Sequence, residues 1–133
     1  MANVVRASDL RQLEKMEPPL KIAMGIDATT CPGAPFNMGH PIIPPGARNQ
    51  RHYHLNTSSG MYVIKGHLRM FAGPDWQMQT YDVGPGDFFY VPRGEIHGLQ
   101  NLSTTESAEM IAMGNSSGTL EDSGIVFVEP PWE

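Results

Sequence analysis

Fourteen glycines and twelve prolines are spread through 133 residues rather than gathered in one place. In a helix interior each glycine costs about 1 kcal/mol and each proline about 3 kcal/mol relative to alanine. A chain punctuated in this way is therefore built from short strands and tight turns. The turn signals bracket candidate strands at 20–26, 41–43, 52–54, 61–65, 67–72, 76–83, 87–91, 108–113 and 124–128. Eight or more short antiparallel strands predict an all-β chain, a double-sheet jelly roll or small barrel. One helix of about two turns is expected over 8–16, where Ser8 is a capping residue, Asp9 an early acid and Lys15 a late base, before Pro18 and Pro19 stop it.

The chemistry gathers in two glycine-bracketed blocks. The first runs Gly46-Ala-Arg-Asn-Gln-Arg-His52-Tyr-His54 and continues to Gly66. On a strand, residues two apart share a face, so His52 and His54 project side by side, with Gln50 on the same face. The second block runs Gly86-Asp-Phe-Phe-Tyr-Val-Pro92-Arg-Gly94-Glu-Ile-His97-Gly-Leu-Gln-Asn101. Its Pro-x-Gly turn ends one strand and aims His97 back toward the core. A lone histidine is usually structural, and that reading is kept for His40 and His67. The joint spacing of the other three points to a metal site.

Taken together, Gly-x5-His-x-His and Gly-x5-Pro-x-Gly-x2-His-x3-Asn resemble the two signature blocks of the cupin superfamily. The second block matches at every fixed position, and the first departs at one. Where the family pattern places a glutamate, seven residues before Gly66, this chain has Ser59, and nothing between His54 and Gly66 is acidic. The resemblance implies a double-stranded β-helix, the jelly-roll cupin barrel, over residues 1–133. Residues 1–19 would be a helical extension, 45–66 and 86–101 the two blocks and 129–133 a tail. It also implies a metal held by His52, His54 and His97 without the usual carboxylate. Glu95, two residues from His97, falls on a variable turn position and reads as a solvated acid, and Asn101 reads as a turn-stabilising hydrogen-bonder.

Three neutral imidazoles leave a divalent ion its full charge, which suits an anionic, chelating substrate. This resembles the three-histidine cupin dioxygenases, so the expected activity is an Fe(II) dioxygenase acting on a small chelating organic acid or diketone. Zn, Mn or Ni are the other candidate ions. A non-redox lyase, isomerase or decarboxylase, and a non-catalytic metabolite-binding protein, are the alternatives. Gln50, Ser59 and Met61 are the expected substrate contacts. Nine methionines also suit a pliable interior, with Met61, Met110 and Met113 expected in the core.

Composition narrows the partners. Fourteen acids against nine bases, with no Lys/Arg cluster, argue against nucleic acid. No apolar stretch approaches the roughly 18 residues of a membrane helix, and the N-terminus lacks a signal-type apolar core, so a cytoplasmic protein is expected. Cys31, the one cysteine, excludes an internal disulfide and reads as a loop or buried thiol. Trp132 in a Pro-rich tail, with the N-terminal helix, suggests a homodimer contact.

Overall fold

The computed structural model describes residues 2–128. Eleven strands follow in chain order: β1 (Arg11–Leu13), β2 (Lys21–Ile26), β3 (Asn37–Ile43), β4 (His52–His54), β5 (Ser59–Lys65), β6 (Leu68–Ala72), β7 (Gln79–Val83), β8 (Phe88–Val91), β9 (His97–Asn101), β10 (Ala108–Gly114) and β11 (Ile125–Phe127). They form two antiparallel sheets, ordered β1-β2-β3-β10-β5-β8 and β11-β4-β9-β6-β7. This is the double-sheet jelly roll expected from the turn spacing.

Alternation along the strands builds the interior. In β3, Asn37, Gly39, Pro41 and Ile43 point inward. In β5 the inward positions are Ser59, Met61 and Val63, whereas Tyr62 and Ile64 face outward. Ile22, Met24, Ile43, Val63, Leu68, Leu99 and Met110 form the buried core between the sheets. Each such side chain contributes about 1.5–3 kcal/mol on leaving water. Period-two geometry also corrects one expectation. Met110 and Met113 are three apart on β10, so they cannot share a face; Met110 is buried and Met113 is 46% exposed. The β5–β6 turn admits only glycine, because Gly66 has φ +90° and a Cβ there would sit 2.7 Å from the Cβ of Ala108.

The N-terminal helix is absent. Residues Ala7–Asp9 make a single 3-10 turn, and Arg11–Leu13 then pair with Leu13 opposite Ile22 and Arg11 opposite Met24. Two turns of helix are marginal without a packed face. Extended backbone gains a ladder on the β2 edge and lets Arg11 reach Asp27 and Glu121, at 2.6 and 2.7 Å. The strand expected over 41–43 is longer, since β3 already begins at Asn37. Likewise 76–83 divides into a 3-10 turn at Asp75–Gln77 and β7. The tail at 129–133, with Trp132, lies outside the described residues.

Candidate metal centre

β4 is only three residues long, and its burial alternates so that His52 and His54 face the interior while Tyr53 is half-buried. It lies between β9 and β11, with His52 opposite His97 on one side and opposite Phe127 on the other. The three histidines thus meet on the inner face of one sheet. Ring centroids are 4.3 Å apart for His52 and His97, 5.1 Å for His52 and His54, and 5.7 Å for His54 and His97. One ligand nitrogen from each lies within 4.8 Å of the other two.

Each ring is held by its Nδ1. His52 Nδ1 is 2.8 Å from the Gln50 carbonyl, His97 Nδ1 is 2.9 Å from the Glu95 carbonyl and His54 Nδ1 is 2.8 Å from Ser123 Oγ. A carbonyl only accepts, so Nδ1 of His52 and of His97 carries the proton that it donates, and each neutral ring keeps a lone pair on Nε2. Burial, reinforced by the charge of His52, pushes the His97 pKa down to about 4. Burial also lowers that of His54, the Glu17 carboxylate only partly offsetting it. His97 and His54 are therefore neutral near pH 7, the form that binds metal. In His52 the effect of burial is overridden by the Glu17 carboxylate, and the pKa is raised.

His52 Nε2 is buried and has no hydrogen-bond partner. Glu17 Oε1 lies 3.1 Å away. A polar atom so placed, amid three convergent imidazoles, is the position of a metal ligand. The donor set fits a divalent transition ion.

Glu17, which no sequence signal singled out, lines the cavity beside the histidines. Its side chain is 13% exposed, and its Oε1 accepts a 3.1 Å hydrogen bond from Asn49 Nδ2. Asn49 is 1% exposed and accepts from the Leu99 backbone N–H at 2.8 Å, so the carboxylate is positioned by β9. Burial pushes the Glu17 pKa up, but the charge of His52 more than offsets this and holds it at about 2. No motif marks Glu17, which precedes His52 by 35 residues; the available signal was an acid against two prolines where a helix had to stop.

A cavity of about 50 Å³ opens beside the histidines. On that measure a water needs ~10–15 Å³, so there is room for a molecule of only a few heavy atoms. Its walls are mostly apolar, with Leu20, Ile22, Met24, Leu99 and Met110, and Glu17 is its one acidic residue. Ser59 and Met61 line it. Gln50 is placed differently: its side-chain amide donates to the Val128 carbonyl at 3.1 Å, and its own carbonyl holds His52. His40 pairs with Glu109 at 2.9 Å, and neither it nor His67 joins the cluster. Asn101 donates to the carbonyls of Ile43, Pro44 and Glu106, the turn-stabilising role expected for it.

Comparison with known proteins agrees with this geometry. A germin-like protein of Arabidopsis thaliana, subfamily T member 3, is 32% identical over 72 residues, which are 53% of this chain and 32% of that protein. An oxalate decarboxylase of Bacillus subtilis is 37% identical over 62 residues, 45% of this chain and 16% of that protein. Among solved structures, an oxalate oxidase in complex with the substrate analogue glycolate superposes with a TM-score of 0.69 at 27% identity, covering 82% of this chain and 55% of that one. A Bacillus subtilis oxalate decarboxylase variant reaches 0.75 at 26% identity, covering 92% and 32%. The chain thus spans a third or less of the curated relatives. The cupin domain family matches residues 39–114, more than half of the 133 and including all three histidines, and the chain belongs to that family.

Proposed function

We propose that the chain is a metal-dependent enzyme acting on a small chelating organic acid. The observation that carries this reading is the convergence of three buried imidazoles, two of which, His54 and His97, line a cavity of only about 50 Å³ with mostly apolar walls. His52, His54 and His97 would hold one divalent transition ion, with Fe(II) first among Fe, Mn, Zn and Ni. When bound, the ion supplies Lewis-acid charge for a substrate carboxylate and, if iron or manganese, redox chemistry.

The protein's own share is positioning and exclusion. The carbonyls of Gln50 and Glu95 and the hydroxyl of Ser123 fix the three rings, so the ligand nitrogens stand ready before substrate arrives. Leu20, Met24, Met61 and Met110 keep the site dry, which strengthens each charge interaction inside it. The cavity limits the substrate to a few heavy atoms. Ser59 is assigned to its polar end, and Met61 packs against its carbon skeleton. The oxalate oxidase and oxalate decarboxylase among the relatives support oxalate as the first acid to test.

Oxygen-dependent oxidation is the leading reaction. Non-redox decarboxylation, in which a proton replaces the departing CO2, is the second reading, favoured by the decarboxylases that cover most of this chain. Metal-loaded protein is incubated with oxalate, glyoxylate and pyruvate while oxygen uptake and CO2 are followed. Oxygen uptake that disappears in His97→Ala is the expected result. CO2 without oxygen uptake selects the second reading, and turnover equal in protein and variant overturns both.

A further inference from the structure

A carboxylate in an apolar cavity requires a cation, since burying it unpaired costs several kcal/mol. Glu17 is such a group. Its side chain is 13% exposed beside Leu20, Ile22, Met24 and Leu99, and its one ion pair among the described residues is with His52. Two atoms bound at right angles to one ion, each about 2.1–2.2 Å from it, lie about 3 Å apart. Glu17 Oε1 and His52 Nε2 are 3.1 Å apart. Asn49, itself buried, donates to that same Oε1 at 3.1 Å, as an outer partner orients a ligating carboxylate. Ser59, standing where the sequence pattern lacks its acid, lines the same cavity.

We propose that Glu17, from the segment between β1 and β2, is the fourth protein ligand of the metal, replacing from outside the motif the carboxylate that Ser59 cannot supply. The proposal rests on the three-histidine metal reading above. The three histidines and Glu17 then form a set of net charge −1, which reduces a divalent ion to +1 and leaves room for a substrate. Glu17 also makes the N-terminal segment a wall of the cavity and a handle on the ion at once.

The probe is Co(II), added to the full chain stripped of metal, with binding read by calorimetry and the visible Co(II) spectrum. Glu17→Gln preserves size and the contact with Asn49. It is expected to weaken Co(II) binding tenfold or more and to shift the spectrum, and Glu17→Ala combined with Ser59→Glu is expected to recover most of the affinity. Glu17→Gln with unchanged affinity and spectrum overturns the proposal while leaving the histidine site intact. Wild-type protein that binds no Co(II), or binds it as well after His52→Ala, overturns the histidine reading and this proposal with it. Crystals of wild-type protein soaked in Co(II) decide the matter independently of any variant. A Glu17 oxygen at about 2.0–2.2 Å from the ion is expected, and one beyond hydrogen-bond distance of it overturns the assignment.

Discussion

At the scale of the residue, the centre depends on atoms that never touch the ion. Ser123 Oγ is the partner of His54 Nδ1, and Ser123 is fully buried. Ser123→Ala is expected to weaken metal binding ~10–100-fold while the fold persists, read by calorimetry against circular dichroism. Proton linkage gives a second outcome. The folded-state pKa of His97, about 4, lies below the ordinary 6.5, as does that of His54 in direction. Between pH 6.5 and 4 the unfolded chain therefore binds more protons, and the stability of the metal-free protein falls as the pH falls through that window. Glu17, at about 2 against 4.5, adds a loss in the same direction between those values. His52 has the opposite sign: its raised pKa contributes stability that is complete below 6.5 and lost as the pH rises through its folded value. Thermal melts of metal-free protein should accordingly show Tm falling from pH 6.5 to 4. A Tm that is flat or rising across that interval would contradict the buried neutral imidazoles.

The pairing of His52 and His54 was legible in the sequence because a strand's period of two leaves no alternative once Gly46 and the polar run Asn56-Thr-Ser58 bracket it. His97 was legible from the Pro-x-Gly turn before it. Glu17 was not, because a ligand carried on an irregular segment has no period, and nothing in its neighbours encodes a contact made 35 residues later. Gln50 shares the expected face of its segment, yet its side chain is taken by the Val128 carbonyl, a long-range partner that strand periodicity does not reveal.

Among the elements, β1 shows tertiary pairing overriding local preference. Residues 8–16 carry the capping and charge signals of a helix, but Arg11 gains more by joining Asp27 and Glu121 than a two-turn helix offers. Its guanidinium donates to Asp27 at 2.6 and 3.0 Å and to both oxygens of Glu121 at 2.7 and 2.8 Å. Asp27 is fully buried, and backbone N–H groups of Thr29 and Thr30 compensate part of its charge. Arg11→Met is expected to cost about 1–3 kcal/mol by leaving that carboxylate short of a partner. A melt should record this as a drop of several degrees, and Glu121→Gln a smaller one, because Glu121 is half exposed. Equal, negligible effects would mean that β1 is held by its ladder alone.

On the scale of the whole molecule, the two sheets differ in what they show to solvent. The outer face of the six-stranded sheet carries Tyr62, Phe88, Tyr90, Met38 and Met113, with Phe88 77% and Tyr90 67% exposed and the rings of Tyr62 and Phe88 4.6 Å apart. A contiguous apolar face of this kind, ending at the edge strand β8, suits a second copy of the same chain. Homodimerisation was expected from the terminal segments. The exposed aromatic side chains make this face a second candidate for that contact. Light scattering should give about twice 14.6 kDa, and Phe88→Ser with Tyr90→Ser should return the monomer without lowering Tm. A monomeric wild type would end this reading.

Arg11 has one more consequence. By gripping Glu121 it ties β1 to the 3-10 turn Leu120–Ser123, and so the strand just ahead of Glu17 to the turn that presents Ser123 to His54. The portion of the chain that the cupin family matches, 39–114, contains the three histidines but neither Glu17 nor Ser123. The histidines are the inherited hardware, and the two flanks are a clasp fastened over them from opposite ends of the chain. Trimming either flank, or transplanting the matched core into another protein, would carry away the histidines and leave the clasp behind. Metal retention thus becomes a gauge of whether the flanks are docked, and a protease that nicks the segment between β1 and β2 should release the ion before it unfolds the sheets.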